Sequence, residues 1–174
     1  MAIWKSERTL LIVGEGADEV AFLTHVKQLF ITRGCGLSVK IKNAQGGGAK
    51  HVVEWTVRQK ANADYDAVAV LVDTDTDWSD TVVNIASKND IHLLRSEPCF
   101  EVLVMRVLGK DPNITASNAK SMFAPHVNND ATKSENYSRK FSKDRLLESR
   151  VRVPTIDRLL NLLGIRQGAV LTCR

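Results

Sequence analysis

Long apolar runs are missing from this 174-residue chain. No stretch approaches the roughly 20 apolar residues that a membrane-spanning helix needs. The opening "MAIWKSER" holds no apolar signal-peptide core ahead of the first strand-like run. Together these absences predict a cytoplasmic protein with no membrane partner. Cysteine is scarce: Cys35, Cys99 and Cys173 are odd in number and far apart, which excludes a disulfide framework and a zinc pattern. The Gly-x-x-x-x-Gly-Lys-Ser/Thr pattern of a nucleotide P-loop is absent, as are internal repeats and low-complexity tracts.

What is present is an ordinary globular composition, 44% apolar, in a chain long enough for one domain with a real core. The net charge of +4 is unevenly spread. Residues 133–174 carry ten Lys/Arg against four Asp/Glu, whereas residues 1–132 carry fourteen against sixteen. A basic tail beside an acidic body fits a polyanion held near a metal site; ordinary variation of surface charge fits equally.

Along the chain, "TLLIV" (Thr9–Val13) and "AVAVLV" (Ala67–Val72) are short continuous apolar runs, the pattern of strands buried on both faces. "LSVKIK" (Leu37–Lys42) alternates and predicts a strand near a sheet edge, and "IHLL" (Ile91–Leu94) a fourth strand. Between them the spacing of Leu23, Val26 and Phe30 predicts a helix stopped at Gly34. Further helices are predicted over 51–61, over 79–88, from Pro98 at a first helical position to Gly109, and over 155–164 with Leu159, Leu160 and Leu163 facing the core. Alternating strands and helices predict an α/β fold with a mostly parallel sheet and helices on both faces. Residues 110–145 are polar with little periodicity and read as a loop or a segment ordered by a partner.

In such a sheet, ligands bind beyond the C-terminal ends of the strands. The residues following each predicted strand are Gly14-Glu15-Gly16 with Glu19, then Gly46-Gly47-Gly48, then Asp73, Asp75 and Asp77, then "RSEPCFE" with Glu97 and Glu101. Four loops thus bring carboxylates and a glycine cluster to one edge. Crowded carboxylates repel, and a divalent cation makes their ionised forms favourable. Oxygen-only ligands suit Mg²⁺ or Mn²⁺, and such ions can clamp the oxygens of a phosphodiester. Asp73 and Asp75 are the first candidates as ligands, with Asp77 open between ligand and turn residue. Glu15 stands between two glycines, facing them, with a helix-dipole role as its plain alternative. The loop at Gly46–Gly48, followed by Lys50, reads either as a mobile loop or as a phosphate cradle at a helix start. His25 reads as structural, and Cys99 as a small buried residue. "YSRKFSKDR" sets Tyr137 and Phe141 among Arg139 and Lys140, which suits base stacking and phosphate contacts, or simply two packed aromatics on a solvated helix.

Glu15 in "LLIVGEGADE" and Asp73/Asp75 in "VLVDTDTD" resemble the Toprim family of metal-dependent phosphodiester-handling domains. The Glu15-Gly16-x-x-Glu19 start and "SEPCFEVLVM" (Ser96–Met105) are most similar to its small RloB-like group, with Glu97 where that group has Asn. The match spans about residues 9–108. The resemblance implies a Toprim/Rossmann-like sheet, with residues 1–112 as catalytic core and 113–174 as a basic C-terminal extension whose helix packs on it in one compact domain. It also implies an Mg²⁺- (or Mn²⁺-) dependent nuclease in antiphage defence, acting on DNA or RNA, with a partner ATPase or other defence protein as cooperating factor. Glu15, Glu19, Glu101 and Lys140 are then the catalytic candidates, and Glu15, Asp73, Asp75 and Asp77 the metal ligands. A catalytically inactive nucleic-acid-sensing or partner-binding module, and a nucleotide phosphohydrolase, are the alternatives on the same residues.

Overall fold

The structure is a computed structural model that describes residues 8–110 and 113–166. Cys173 and the opening "MAIWKSE" lie outside the described residues. Four parallel strands form one sheet: β1 (Arg8–Gly14), β2 (Leu37–Asn43), β3 (Ala67–Asp73) and β4 (Ile91–Ser96), in the order β2-β1-β3-β4. The alternating strand β2 lies at an edge, and the continuously apolar β1 and β3 lie in the centre, where both faces are covered. Helices α1 (Ala17–Phe30), α2 (Gly48–Ala61), α3 (Asp80–Lys88), α4 (Phe100–Val107), α5 (Ala116–Phe123), α6 (Lys143–Ser149) and α7 (Pro154–Leu162) complete the domain. No described helix is long and apolar enough to cross a membrane.

Because side chains alternate along a strand, the sheet feeds two separate cores. Leu11 and Val13 of β1 and Val68, Val70 and Val72 of β3 pack with Val52, Val53, Val82 and Ala86 of α2 and α3. Leu10, Ile12, Ala69 and Leu71 face the other way, into a larger core shared by α1, α4, α5, α6 and α7. That second core holds a ring cluster. Phe22 stands within 5.6–5.9 Å of Phe100, Tyr137 and Phe141, and Phe123 within 6.1–6.4 Å of the last three. Aromatic pairs at such spacings add about 0.5–1.5 kcal/mol each beyond their burial.

Two expectations are corrected here. The polar segment 110–145 is not a structureless loop: its described residues form α5, two 3₁₀ turns (Ala124–Val127 and Ser134–Tyr137) and the start of α6. Phe123, Val127, Tyr137 and Phe141 are irregularly spaced, so no helical or strand period announces them, yet all four are buried in the large core. Tyr137 and Phe141 are 0% exposed and unavailable for stacking on bases. His25 is likewise buried, with a ring nitrogen 2.7 Å from the Phe141 carbonyl oxygen. Pro98 does not begin α4. That helix starts at Phe100 after the buried Cys99, and the Pro98 carbonyl instead accepts the N–H groups of Thr74 and Asp75, each at 2.9 Å. The β4–α4 loop thereby pins the aspartate loop that follows β3.

Candidate active site

The strand order reverses direction between β1 and β3, and their C-terminal ends flank the crevice where open α/β sheets place ligands. Gly14 ends β1 and pairs with Leu71; Asp73 ends β3 and pairs with Ser96 of β4. Glu15 and Asp73 therefore project from neighbouring strand ends because the two strands run parallel in this register.

Glu15 is half-buried and held from outside its own helix. Its Oε1 accepts the N–H of Gly48, the first residue of α2, at 3.2 Å, and its backbone carbonyl accepts the Gly46 N–H at 2.7 Å. The glycine loop thus holds Glu15 through two backbone N–H groups, at the positive end of α2. Gly47 has φ +96°, and a Cβ there would lie 2.7 Å from the His51 ring, so no other residue fits without displacement. The other carboxylate oxygen, Glu15 Oε2, is buried and has no hydrogen-bond partner.

Asp73 shows the same defect. Its Oδ1 is buried without a partner. Burial, then the charges of Glu19, Glu15, Asp75 and Glu101, push its carboxyl up to about 8. Glu19 is 7% exposed and accepts the Gly16 N–H at 3.0 Å, closing the first turn of α1. Burial above all, with Glu15 and Asp18 as lesser contributors against the hydrogen bonds from the Glu19 and Gly16 backbone, raises it to about 7. Glu101, in the first turn of α4, is half-buried and acts electrostatically on Asp73 and Asp18. These four acids and Asp75 form one electrostatic group, drawn from two loops, the end of β3 and two helices.

The remaining candidates separate. Asp75 is exposed, and the Thr76 hydroxyl donates to its Oδ1 at 2.9 Å. Asp77 is exposed, left-handed at φ +56°, and packs on Gly48. Glu97 is exposed on the far side of the β4 end. Lys140 sits with Lys110 near His126, whose ring is held below the usual imidazole range first by burial and then by the two lysine charges; it is not the cation beside the acids. That position belongs to Lys120 of α5, which lowers Asp18 against the larger upward effect of burial. Lys120, Asp18 and Glu101 line a cavity of about 220 Å³ next to the acidic edge. Neither Asp18 nor Lys120 was picked out from the sequence. Asp18 had a signal, since it shares the post-β1 segment with Glu15 and Glu19. Lys120 had none, because only the packing of α5 on α4 brings it there. Cys99 is buried, and its thiol is pushed up to about 11, mainly by burial, which makes it inert as a nucleophile at neutral pH.

Among the described residues, no group of three or more His, Cys, Asp or Glu side chains is placed to hold a metal ion. Carboxylate oxygen is nevertheless the donor type that suits Mg²⁺ or Mn²⁺. Two orphaned carboxylate oxygens, Glu15 Oε2 and Asp73 Oδ1, face desolvation without compensation. Mg²⁺ commonly takes one or two carboxylates and keeps waters. Comparison with protein-family models, curated proteins and solved structures finds no match to this chain.

Proposed function

We propose that the chain is a divalent-metal-dependent nuclease that hydrolyses phosphodiester bonds in nucleic acid, in the defence setting that the Toprim resemblance implies. The observation that carries this reading is the pair of buried, unpartnered oxygens on Glu15 and Asp73 at the strand switch point. Burying a carboxylate oxygen without a partner is costly, and a cation held by Glu15 and Asp73, with Asp75 at the rim, removes that cost. When bound, Mg²⁺ or Mn²⁺ would supply Lewis-acid polarisation of a phosphoryl oxygen and acidify a bound water.

The chain's own groups do the rest. The Gly48 N–H fixes the Glu15 carboxylate and leaves Oε2 directed by that bond. The Pro98 carbonyl, by holding the Thr74 and Asp75 N–H groups, fixes the aspartate loop. Glu19, raised to about 7, exchanges a proton near neutral pH through Oε1 while Oε2 stays on the Gly16 N–H. Glu101 adds negative charge that disfavours an empty site at high pH.

The test is a screen of single-stranded and duplex DNA, single-stranded and transfer RNA, and free nucleotides, each with and without Mg²⁺ or Mn²⁺. Metal-dependent cutting of a polynucleotide is expected, and its loss in Glu15→Gln and in Asp73→Asn. Cutting that survives both substitutions overturns the proposal. Turnover of free nucleotides alone moves it to a phosphohydrolase, and salt-sensitive binding with no product moves it to a sensing module.

A further inference from the structure

Between β4, α4 and α7 lies a cavity of about 190 Å³ lined by residues that include four arginines. Arg95 is the penultimate residue of β4, Arg106 lies in the last turn of α4, Arg152 precedes α7 and Arg158 lies within it. Glu97 is the one carboxylate among the lining residues. The contrast with Arg150 is instructive. That buried arginine is fully used, donating to Asp157 at 2.7 Å, to the Ile165 carbonyl at 2.8 Å and to Asn161 at 2.6 Å. The four pocket arginines form no ion pair with a carboxylate among the described residues.

Two of them have partial structural work. Arg106 donates to the Glu97 carbonyl at 2.7 Å, and Arg152 donates to the Val107 carbonyl at 3.1 Å and weakly to that of Arg106. Each leaves most of its five donors free. Arg158 is exposed, and its side chain makes no hydrogen bond among the described residues. Arg95 meets the cavity through its backbone, whose carbonyl accepts the Thr155 hydroxyl at 2.6 Å; its guanidinium lies on the other face of the sheet, 5.0 Å from the Trp78 ring centroid. The cations that remain around the cavity, Arg106, Arg152 and Arg158, repel one another. An anion with several acceptor oxygens relieves this, and guanidinium matches phosphate in a bidentate way. The N-terminus of α7, a nine-residue helix, opens on the same wall through Pro154 and Thr155 and adds partial positive charge.

We propose that this arginine pocket binds a phosphate group of a nucleic-acid strand. The assignment to nucleic acid rests on the nuclease reading above; the phosphate chemistry stands on the arginines alone. The pocket is one strand away from Asp73, since Asp73 and Ser96 are register partners and Glu97 lines the pocket. From β4 to β1 is two strand spacings, roughly 10 Å. A strand anchored by one phosphate among the arginines thus lays its following linkages over Asp73 and Glu15.

The experiment measures binding without metal, so that nothing is cut. Anisotropy of short labelled single-stranded DNA and RNA is followed over a salt series for wild type, Arg106→Gln/Arg158→Gln and Arg158→Glu. Affinity is expected to fall about tenfold in both variants, and the salt slope to drop by about one phosphate contact. Arg158 is exposed, so its variant reads binding even where loss of the Arg106 hydrogen bond to the Glu97 carbonyl lowers stability. Inorganic phosphate should compete against wild type and not against the double variant. Unchanged affinity and salt slope in both variants overturn the pocket. Arginine-dependent binding of inorganic phosphate without an effect on the oligonucleotides overturns the nucleic-acid assignment. Arginine-dependent oligonucleotide binding in a protein that never cuts leaves the pocket standing and overturns the nuclease reading instead.

Discussion

The floor and the rim of the acidic edge are built from the same residue type and behave differently. On the floor, Glu15, Glu19 and Asp73 come from strand ends and a first helical turn, lie largely out of water, and leave two oxygens without partners. On the rim, Asp75 and Asp77 are exposed: one is satisfied by Thr76, the other sits in a left-handed turn. The difference teaches that a run such as "DTDTD" is not a unit. Two residues of chain separate an acid that the fold destabilises from one that water keeps comfortable.

The comparison breaks most sharply in metal affinity. Asp73→Asn and Glu15→Gln are each expected to weaken Mn²⁺ binding by about 100-fold or more, on the scale of losing a metal's supporting ligands, as read by titration calorimetry. Equal affinities in wild type and both variants would erase the distinction between floor and rim.

Stability against pH comes next. Asp73 and Glu19 bind protons more tightly folded than unfolded, about 8 against 3.8 and about 7 against 4.5. Their contribution to the metal-free fold is therefore full below about pH 4 and is lost as pH rises through 7 and 8. The melting temperature of the metal-free protein should fall between pH 5 and pH 8.5. Mg²⁺ should restore it. Asp73→Asn, which cannot ionise, should gain about 2 kcal/mol at pH 8, or roughly 4–8 °C by calorimetry, while losing metal binding. A variant that is both more stable and inactive is the signature of a floor residue.

The rim gives the smaller effects. Asp75→Asn is expected to reduce Mn²⁺ affinity about tenfold, with a melting temperature within about 2 °C of wild type, because an exposed carboxylate leaves no buried charge behind. Asp77→Asn should change neither by a measurable amount, since Asn tolerates φ +56°. Asp77→Ala should cost about 1 kcal/mol in denaturant titration through that backbone conformation alone.

Much of the sheet was legible in advance because continuous apolar runs at 9–13 and 67–72 can satisfy both faces only in the middle of a parallel sheet. The same rule put Glu15, Asp73 and Asp75 at one edge. What stayed hidden has a common cause. Phe123, Tyr137 and Phe141 enter the core from turns and helix ends, so no period of 2 or 3.6 marks them. Pro98 looked like a helix start, because its carbonyl's duty to Thr74 and Asp75 is a long-range bond. For Glu15 the sequence offered a site role with a helix-dipole role as its alternative, and neither pointed to the hydrogen bond that runs to α2, 33 residues away.

By itself, the sequence determined the α/β class, the strand and helix order and the identity of the acids at the C-terminal edge. These follow from local periodicity and the parallel-sheet rule. Only the tertiary structure decided which acids are buried, that Lys120 rather than Lys140 stands beside them, and that Arg106, Arg152 and Arg158 meet at one cavity. Burial and charge proximity are properties of which surfaces pack together, and no local pattern in the chain encodes them.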